Sequence, residues 1–416
     1  MDAGKGKQNR FSALPARDLK PVQVSYLIDH FELAPQSVVA EAVVEKTNQA
    51  LKAHEEEASS ERLQPGELLL EIENQLLPVP LLTPYWAEKL AGGFKVAAVR
   101  RHLEFEQLQA CQGLDPDFDL EKLWHFTDQK ELVGKRGGND FLPLEPLNTS
   151  TLDQGARPLE AVSLPEAILQ PVIEALNTDY GIKPALARAM VERAAQVRWW
   201  CSPRLKELKP GQVVWLAYST TSRKRSAKRK LVPVVLTLLT LEEQAMSFNN
   251  RGDYKALKIR QLERITAEAW QQSGALTMLD LEWLLNLNGA ALRQLLNAYQ
   301  EHFGVLLPTA GTVLDMGRTL THKKIVVEMS LEGLSTQQIA QRIFHTPEAV
   351  DQYLRLFDRV LVLYHYGLPV NLIRQVTGHS LALIKEHLAL VEKHFPAKEG
   401  LVNYLSNRGV ELEKAQ

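Results

Sequence analysis

The 416-residue chain is short of cysteine, of net charge and of long apolar runs, and each shortage excludes something. Its two cysteines, Cys111 and Cys201, sit in no CxxC or Cys/His spacing, which argues against a disulfide framework or zinc finger and fits a reducing cytoplasm. With 48 Lys and Arg against 50 Asp and Glu, the molecule as a whole carries no electrostatic footprint for nucleic acid, so any such contact must come from local clusters. The longest greasy run, LVPVVLTLLTL at 231–241, is too short to span a bilayer, and the first twenty residues lack an apolar h-region. Neither secretion nor a membrane anchor is expected. Catalytic motifs are missing too: GKRGGND at 134 lacks the phosphate-cradling GxxxxGK[ST] spacing, there is no GxSxG or HExxH, and RGD at 251–253 is a common tripeptide.

What is present is 45% hydrophobic and 24% charged, the mixture of a soluble globular protein with room for two or three domains. Three landmarks recur in the same order, about 145 to 161 residues apart. DHFELAPQSVVAEAVVE (29–45) resembles DYGIKPALARAMVE (179–192), an aromatic and a helix-starting Pro before Ala/Val-rich sequence. LQPGELLLEIENQLLPVPLLT (63–83) resembles the stretch 208–240, where Pro-Gly turns into one apolar run and a second follows; these read as short strands. QGLDPDFDLEKLWHF (112–126) resembles SGALTMLDLEWLLNL (273–287). The pattern predicts a duplicated α+β module over 22–127 and 161–275, after a disordered start (1–21) and joined by a Gly/Pro/Ser/Thr-rich linker at 128–160. Only the second copy has a cationic connection between its strands, with Arg223, Lys224, Arg225, Lys228, Arg229 and Lys230. Such a loop reads as a phosphate-backbone contact or as a solvated hairpin tip.

The C-terminal third carries helix-turn-helix patterns. In LSTQQIAQRIFHTPEAVDQYLRLFDRV (334–360), Ser335 and Gln338 form a capping box, so a helix starts at Thr336. His345-Thr346 breaks it, and Thr346, Pro347 and Glu348 suit the N-terminus of the next. That second helix buries Ala349, Val350, Tyr353, Leu354, Phe357 and Val360, leaving Glu348, Asp351, Gln352 and Arg355 outward. Gln352 suits adenine, Arg355 guanine or phosphate, and Asp351 cytosine N4, while both acids would repel phosphates. A second pattern spans 366–394: a helix from Pro369 to Val376, a Thr377-Gly378-His379 turn, and a helix capped by Ser380 that offers Lys385 for base contact. Arg374, His379 and His387 are its other outward candidates. A third, winged-helix-like unit is expected over 276–317, with Thr277 and Asn288 as caps, Arg293 and Gln294 exposed, and a hairpin at 305–315. The tandem helix-turn-helix region is placed at 318–395 and a tail at 396–416. Arg318, His322, Lys323 and Lys324 gather near a helix start at Thr321, where free N–H groups favour an anion such as phosphate. With Thr336, Thr346 and Arg342 they complete the expected backbone contacts.

From about 176 to 394 the chain resembles an uncharacterised prokaryotic family, domain of unknown function sixteen-seventy. The likeness is carried by DYGIKPALARAMVE, LKPGQVVWLA, LSTQQIAQRIFHTPEAVDQYLR, GLPVNLIRQVTGHS and, most specifically, LPT-x-G-x-x-x-D-x-G-x-x-x-THK from Leu307 to Lys323. The resemblance implies DNA binding through its helix-turn-helix segment and brings no activity or catalytic residue. This chain departs from the family pattern by an extra amino-terminal half, a degenerate copy of the family's first module.

The late histidines His322, His345, His365, His379, His387 and His394 fit no metal template and belong to helix termini and turns. Trp199-Trp200-Cys201 reads as an apolar patch closing the helix from Pro184, with base stacking as the other reading. The fold expected is mainly α with small β elements: the duplicated α+β module, then winged-helix-like and helix-turn-helix units. The function expected is non-enzymatic binding of double-stranded DNA, as a transcriptional regulator or mobile-element accessory with no cofactor and no metal. A partner protein could dock on the N-terminal module. The rivals are a protein-interaction scaffold and a metal-dependent DNA-processing enzyme.

Overall fold

The computed structural model describes residues 18–35, 37–54, 62–118, 145, 147, 155, 157–160, 163–221, 230–244, 251–314 and 321–410. The chain is mainly helical with one small antiparallel sheet. In order it forms α1 (Leu19–His30), α2 (Val38–His54), β1 (Glu67–Ile72), β2 (Gln75–Pro80), α3 (Pro84–Ala91), α4 (Val96–Gln112), α5 (Glu166–Tyr180) and α6 (Pro184–Cys201). There follow β3 (Gln212–Ser219), β4 (Leu231–Thr237), α7 (Leu241–Gln244), α8 (Arg251–Gln271), β5 (Gly274–Ala275), α9 (Met278–Leu284), α10 (Gly289–Phe303) and α11 (Ala310–Val313). The last are α12 (Thr321–Leu331), α13 (Thr336–Ile343), α14 (Pro347–His365), α15 (Val370–Thr377), α16 (Leu381–His394) and α17 (Lys398–Asn407). Two compact units result: 1–144 with 152–295, and 145–151 with 296–416.

In the first unit both expected strand pairs form, and they share one sheet of order β2-β1-β3-β4, with β5 also on β3. Their junction is reciprocal. Gly66 N donates to Val214 O at 2.8 Å and Gly211 N donates to Leu69 O at 2.7 Å, on either side of the Leu68–Val213 pair. Each glycine also anchors the end of its own hairpin, because Gly66 O accepts from Leu81 and Leu82, and Gly211 O from Leu238 and Leu239. A φ of +89° at Gly66 and +84° at Gly211 requires glycine there, and a Cβ would strike the carbonyl of Leu82 or Leu239. The edge strands are protected differently: β2 carries Pro78 and Pro80, whereas the outer backbone of β4 is clamped by Gln272 and Glu268 side chains at Val235 and Thr237. Helices of the two expected copies interleave as well, with Leu27, Val43, Val44 and Leu51 of the first sharing a core with Leu169, Leu176, Met190 and Val191 of the second.

Several expectations change. Pro184 opens α6 at its first turn, but Ser37 rather than Pro35 begins α2, its hydroxyl accepting from Ala40 N at 3.2 Å. The first copy's DLEKL lies outside the described residues. In the second copy, buried Asp280 accepts from Thr277 and from Trp215 Nε1. Trp200 and Cys201 are buried, Trp200 Nε1 donating to Arg157 O at 2.9 Å, so the apolar reading of that pair stands. The expected hairpin at 305–315 is a helical turn instead: Thr309 is extended and its hydroxyl accepts from Thr312 N, N-cap chemistry that takes the chain into α11. Beyond 396, where a tail was expected, α17 buries Leu401 and Leu405.

Among the described residues, the one buried lysine has no ion-pair partner of its own. Lys258 on α8 is 4% exposed; its ammonium has Gln261 Oε1 at 3.0 Å and the Tyr254 ring at 5.3 Å, while Glu243 is held by Arg264. Burial pushes its pKa down to about 7. From about pH 7 to the ordinary lysine value, the unfolded chain therefore binds a proton that the folded chain does not, and folding gains stability as pH rises through that window. Lys258→Met should stabilise the protein by roughly 1–3 kcal/mol near neutrality. In urea unfolding this advantage should shrink as pH is raised through the window. Gly66→Ala and Gly211→Ala should each cost roughly 2–4 kcal/mol by the same measurement, since both strain the backbone and break into a carbonyl.

Candidate nucleic-acid interface

In the second unit, α13 and α14 are joined by residues 344–346. Ser335 and Gln338 make the reciprocal cap, Phe344 turns the chain with φ +56°, and Thr346 Oγ1 accepts from Ala349 N at 3.3 Å with Pro347 at the first helical position. Phe344 is an unusual choice for a left-handed residue, and its burial holds it there.

Helix α14 is buried on more than one side. Val350, Leu354, Phe357 and Leu361 enter a core with Ile339, Ile343, Val326, Leu401 and Leu405. Leu356 and Val360 enter a second core with Ile373, Leu383, Ile384 and Leu388. At about 100° per residue, this leaves an outward stripe about 60° wide: Glu348, Gln352, Arg355 and Arg359, all exposed. The acids beside it are occupied. Half-buried Asp351 accepts from Thr336 Oγ1 at 3.1 Å, and half-buried Asp358 accepts from Arg408 Nε at 3.0 Å. The Asp358 carboxyl is raised by burial, which outweighs the lowering by Arg408. Glu348 stays ionised, its pKa lowered by its backbone N–H and by the Thr346 hydroxyl.

Of the residues expected to read bases, Gln352 and Arg355 thus share one open stripe, whereas Asp351 is drawn toward α13. Lys385 is exposed on α16, and Arg374 and His379 are exposed around α15. Gly378, at φ +71°, ends α15 as expected, and Ser380 caps α16. His387 does not face outward: it is 1% exposed, its ring 5.6 Å from that of Phe357. Position 387 shares a helical face with the buried Ile384 and Leu388, so it had to turn inward. Thr336 and Thr346 spend their hydroxyls on the Asp351 tie and the cap. Arg342 and Lys324 are exposed, Lys324 4.0 Å from Glu328. Lys230 pairs with Asp29, which leaves it unavailable as a simple backbone contact. Arg223, Lys224, Arg225, Lys228, Arg229 and Arg318 lie outside the described residues, as do the side chains of His322 and Lys323, although α12 does start at Thr321.

Sequence reasoning missed Arg359, whose signal is its i+4 and i+7 relation to Arg355 and Gln352. It also missed Arg408, whose partner could not be known before α17 was placed. Among the described residues no group of His, Cys, Asp and Glu could hold a metal, and no helix is long and apolar enough to cross a membrane.

Residues 176–390, just over half of the chain, match the family described as "Protein of unknown function (DUF1670)". The chain belongs to this family. No curated protein and no solved structure matches. The DUF1670 match begins near the end of α5 and ends within α16, so it covers most of the expected second copy, the pair α13–α14, α15 and most of α16, and none of the expected first copy. Thr336→Val would leave the Asp351 carboxylate half-buried and unpaired; urea unfolding should show a loss of about 1 kcal/mol.

Proposed function

We propose that this chain binds double-stranded DNA through α14, as a transcriptional regulator or as an accessory of a mobile element. The observation that carries the reading is the open stripe of Glu348, Gln352, Arg355 and Arg359 along the first two thirds of a helix whose other faces are fixed in two cores. Such a helix presents amide and guanidinium groups at i, i+3 and i+7 on a rigid support, as a helix seated in a major groove must. Gln352 would pair with adenine, Arg355 with guanine, and Arg359 with a flanking phosphate. Within the same unit, Lys385, Arg374 and Lys324 would supply the remaining backbone contacts.

Charge balance limits the affinity. Residues 296–416 contain 12 Lys and Arg against 12 Asp and Glu, so phosphate attraction is local to the stripe and its neighbours. A second reading, docking of a protein partner, is favoured by Leu372 at 41% and Val376 at 60% exposure, four residues apart on α15.

Binding to random duplex should weaken on the order of 100-fold between about 50 and 200 mM salt if about four phosphates are contacted. A chain with no duplex affinity even at the lower salt is the partner-docking protein instead. In a selection from random DNA, Gln352→Ala and Arg355→Ala should each remove preference at one base position, worth roughly 1–3 kcal/mol. Unchanged preference in both variants would take α14 out of the groove.

A further inference from the structure

An open cleft of about 420 Å³ lies in the second unit, between the end of α10, one side of α12 and the end of α13. It is within the size range of small-molecule sites. Its floor is apolar: Ile325 and Met329 are buried, and Phe303 is held against Tyr299 with ring centroids 4.9 Å apart. The rim carries both signs of charge. Lys324 and Glu328 lie four residues apart on α12 and Glu332 follows in the turn just past its end, with Glu301 from α10 and Arg342 from α13.

These charges are not equally available. Glu328 is neutralised by Lys393 at 2.9 Å, with Lys324 4.0 Å away. Among the described residues, the carboxylates of Glu301 and Glu332 and the guanidinium of Arg342 have no ion-pair or hydrogen-bond partner, and all three are exposed. Two idle carboxylates call for an ammonium group, an idle guanidinium for a carboxylate, and the floor between them for an apolar body.

We infer that the cleft binds a small zwitterion with an apolar side chain, of the free α-amino-acid class. Arg342 takes the carboxylate, Glu301 and Glu332 take the ammonium, and the side chain lies on Met329 and Ile325. A phosphate ligand does not fit, because two idle acids line the same cleft as the arginine. Arg342 closes α13, so an occupied cleft would press on the helix that precedes α14.

The test is calorimetric titration of the full chain, without DNA, with L-leucine and L-phenylalanine to about 10 mM, which reaches dissociation constants in the millimolar range. Leucinamide, which lacks the carboxylate, and N-acetyl-leucine, which lacks the ammonium, serve as controls. Saturable binding of a zwitterion is expected, weakened roughly tenfold or more in each control. Arg342→Gln should weaken the amino acid and leave leucinamide unchanged, while Glu332→Gln should do so without altering N-acetyl-leucine. Both positions are exposed, and circular dichroism of the variants verifies the fold. Absence of saturable binding, equal binding of the controls, or full affinity in Arg342→Gln overturns the inference. Because no nucleic acid is present, the result does not depend on how the chain treats DNA.

Discussion

Helix α14 must satisfy two hydrophobic cores at once, and the form of the second unit follows from that demand. Val350, Leu354, Phe357 and Leu361 point one way, Leu356 and Val360 about 100° around the helix. A helix so used cannot rotate about its axis without exposing one set or the other, at a cost of about 1.5–3 kcal/mol for each large side chain brought into water. Its polar stripe is therefore fixed in direction by apolar packing rather than by polar contacts. Helices α13, α15 and α16 are placed by what they bury against α14.

The first unit is governed by a different constraint, the reciprocal pairing of two Pro-Gly turns. In each, the glycine N–H crosses to the other copy while its carbonyl closes its own hairpin. A side-chain oxygen three residues beyond the turn's first amide steadies the turn in both, Glu67 on Gln64 N at 2.7 Å and Gln212 on Lys209 N at 2.8 Å. Because the same donor and acceptor are used twice with exchanged roles, the junction behaves as a two-fold contact within one chain. The extra amino-terminal half thus supplies the neighbour of β3 beside Val213, and its helices complete the apolar layer of α5 and α6.

Much of this was legible in the residues. Caps were the most reliable signal, since Ser335, Thr346, Ser380, Thr277 and Asn288 each compete for the first backbone N–H groups of a helix by purely local chemistry. The paired hairpins followed from Pro-Gly before two apolar runs. What failed was whatever depended on distant partners. PTAG between apolar runs suits a hairpin and a capped turn alike, and the Thr309 hydroxyl on Thr312 N takes the chain into α11. His387 is polar by composition, yet its helical position is set by Ile384 and Leu388. Asp351 looked outward until Thr336 arrived from another helix to hold it.

That last correction bears on how the stripe could work. An acid in the middle of a groove-reading face opposes phosphate whatever its neighbours do, so Asp351 counted against DNA when it was placed beside Gln352. With its oxygen on Thr336 it sits at the edge, about 100° from Gln352, and Asp358 lies farther round on the same flank. What remains in the centre is one acid, Glu348, confined to the first turn, where free N–H groups offset its charge, and two arginines. The local balance is therefore positive although residues 296–416 as a whole are neutral. Under the proposed reading, a face of this kind would gain little from long-range attraction and would depend on short-range fit, with the burden of recognition on the amide of Gln352 and the guanidinium of Arg355.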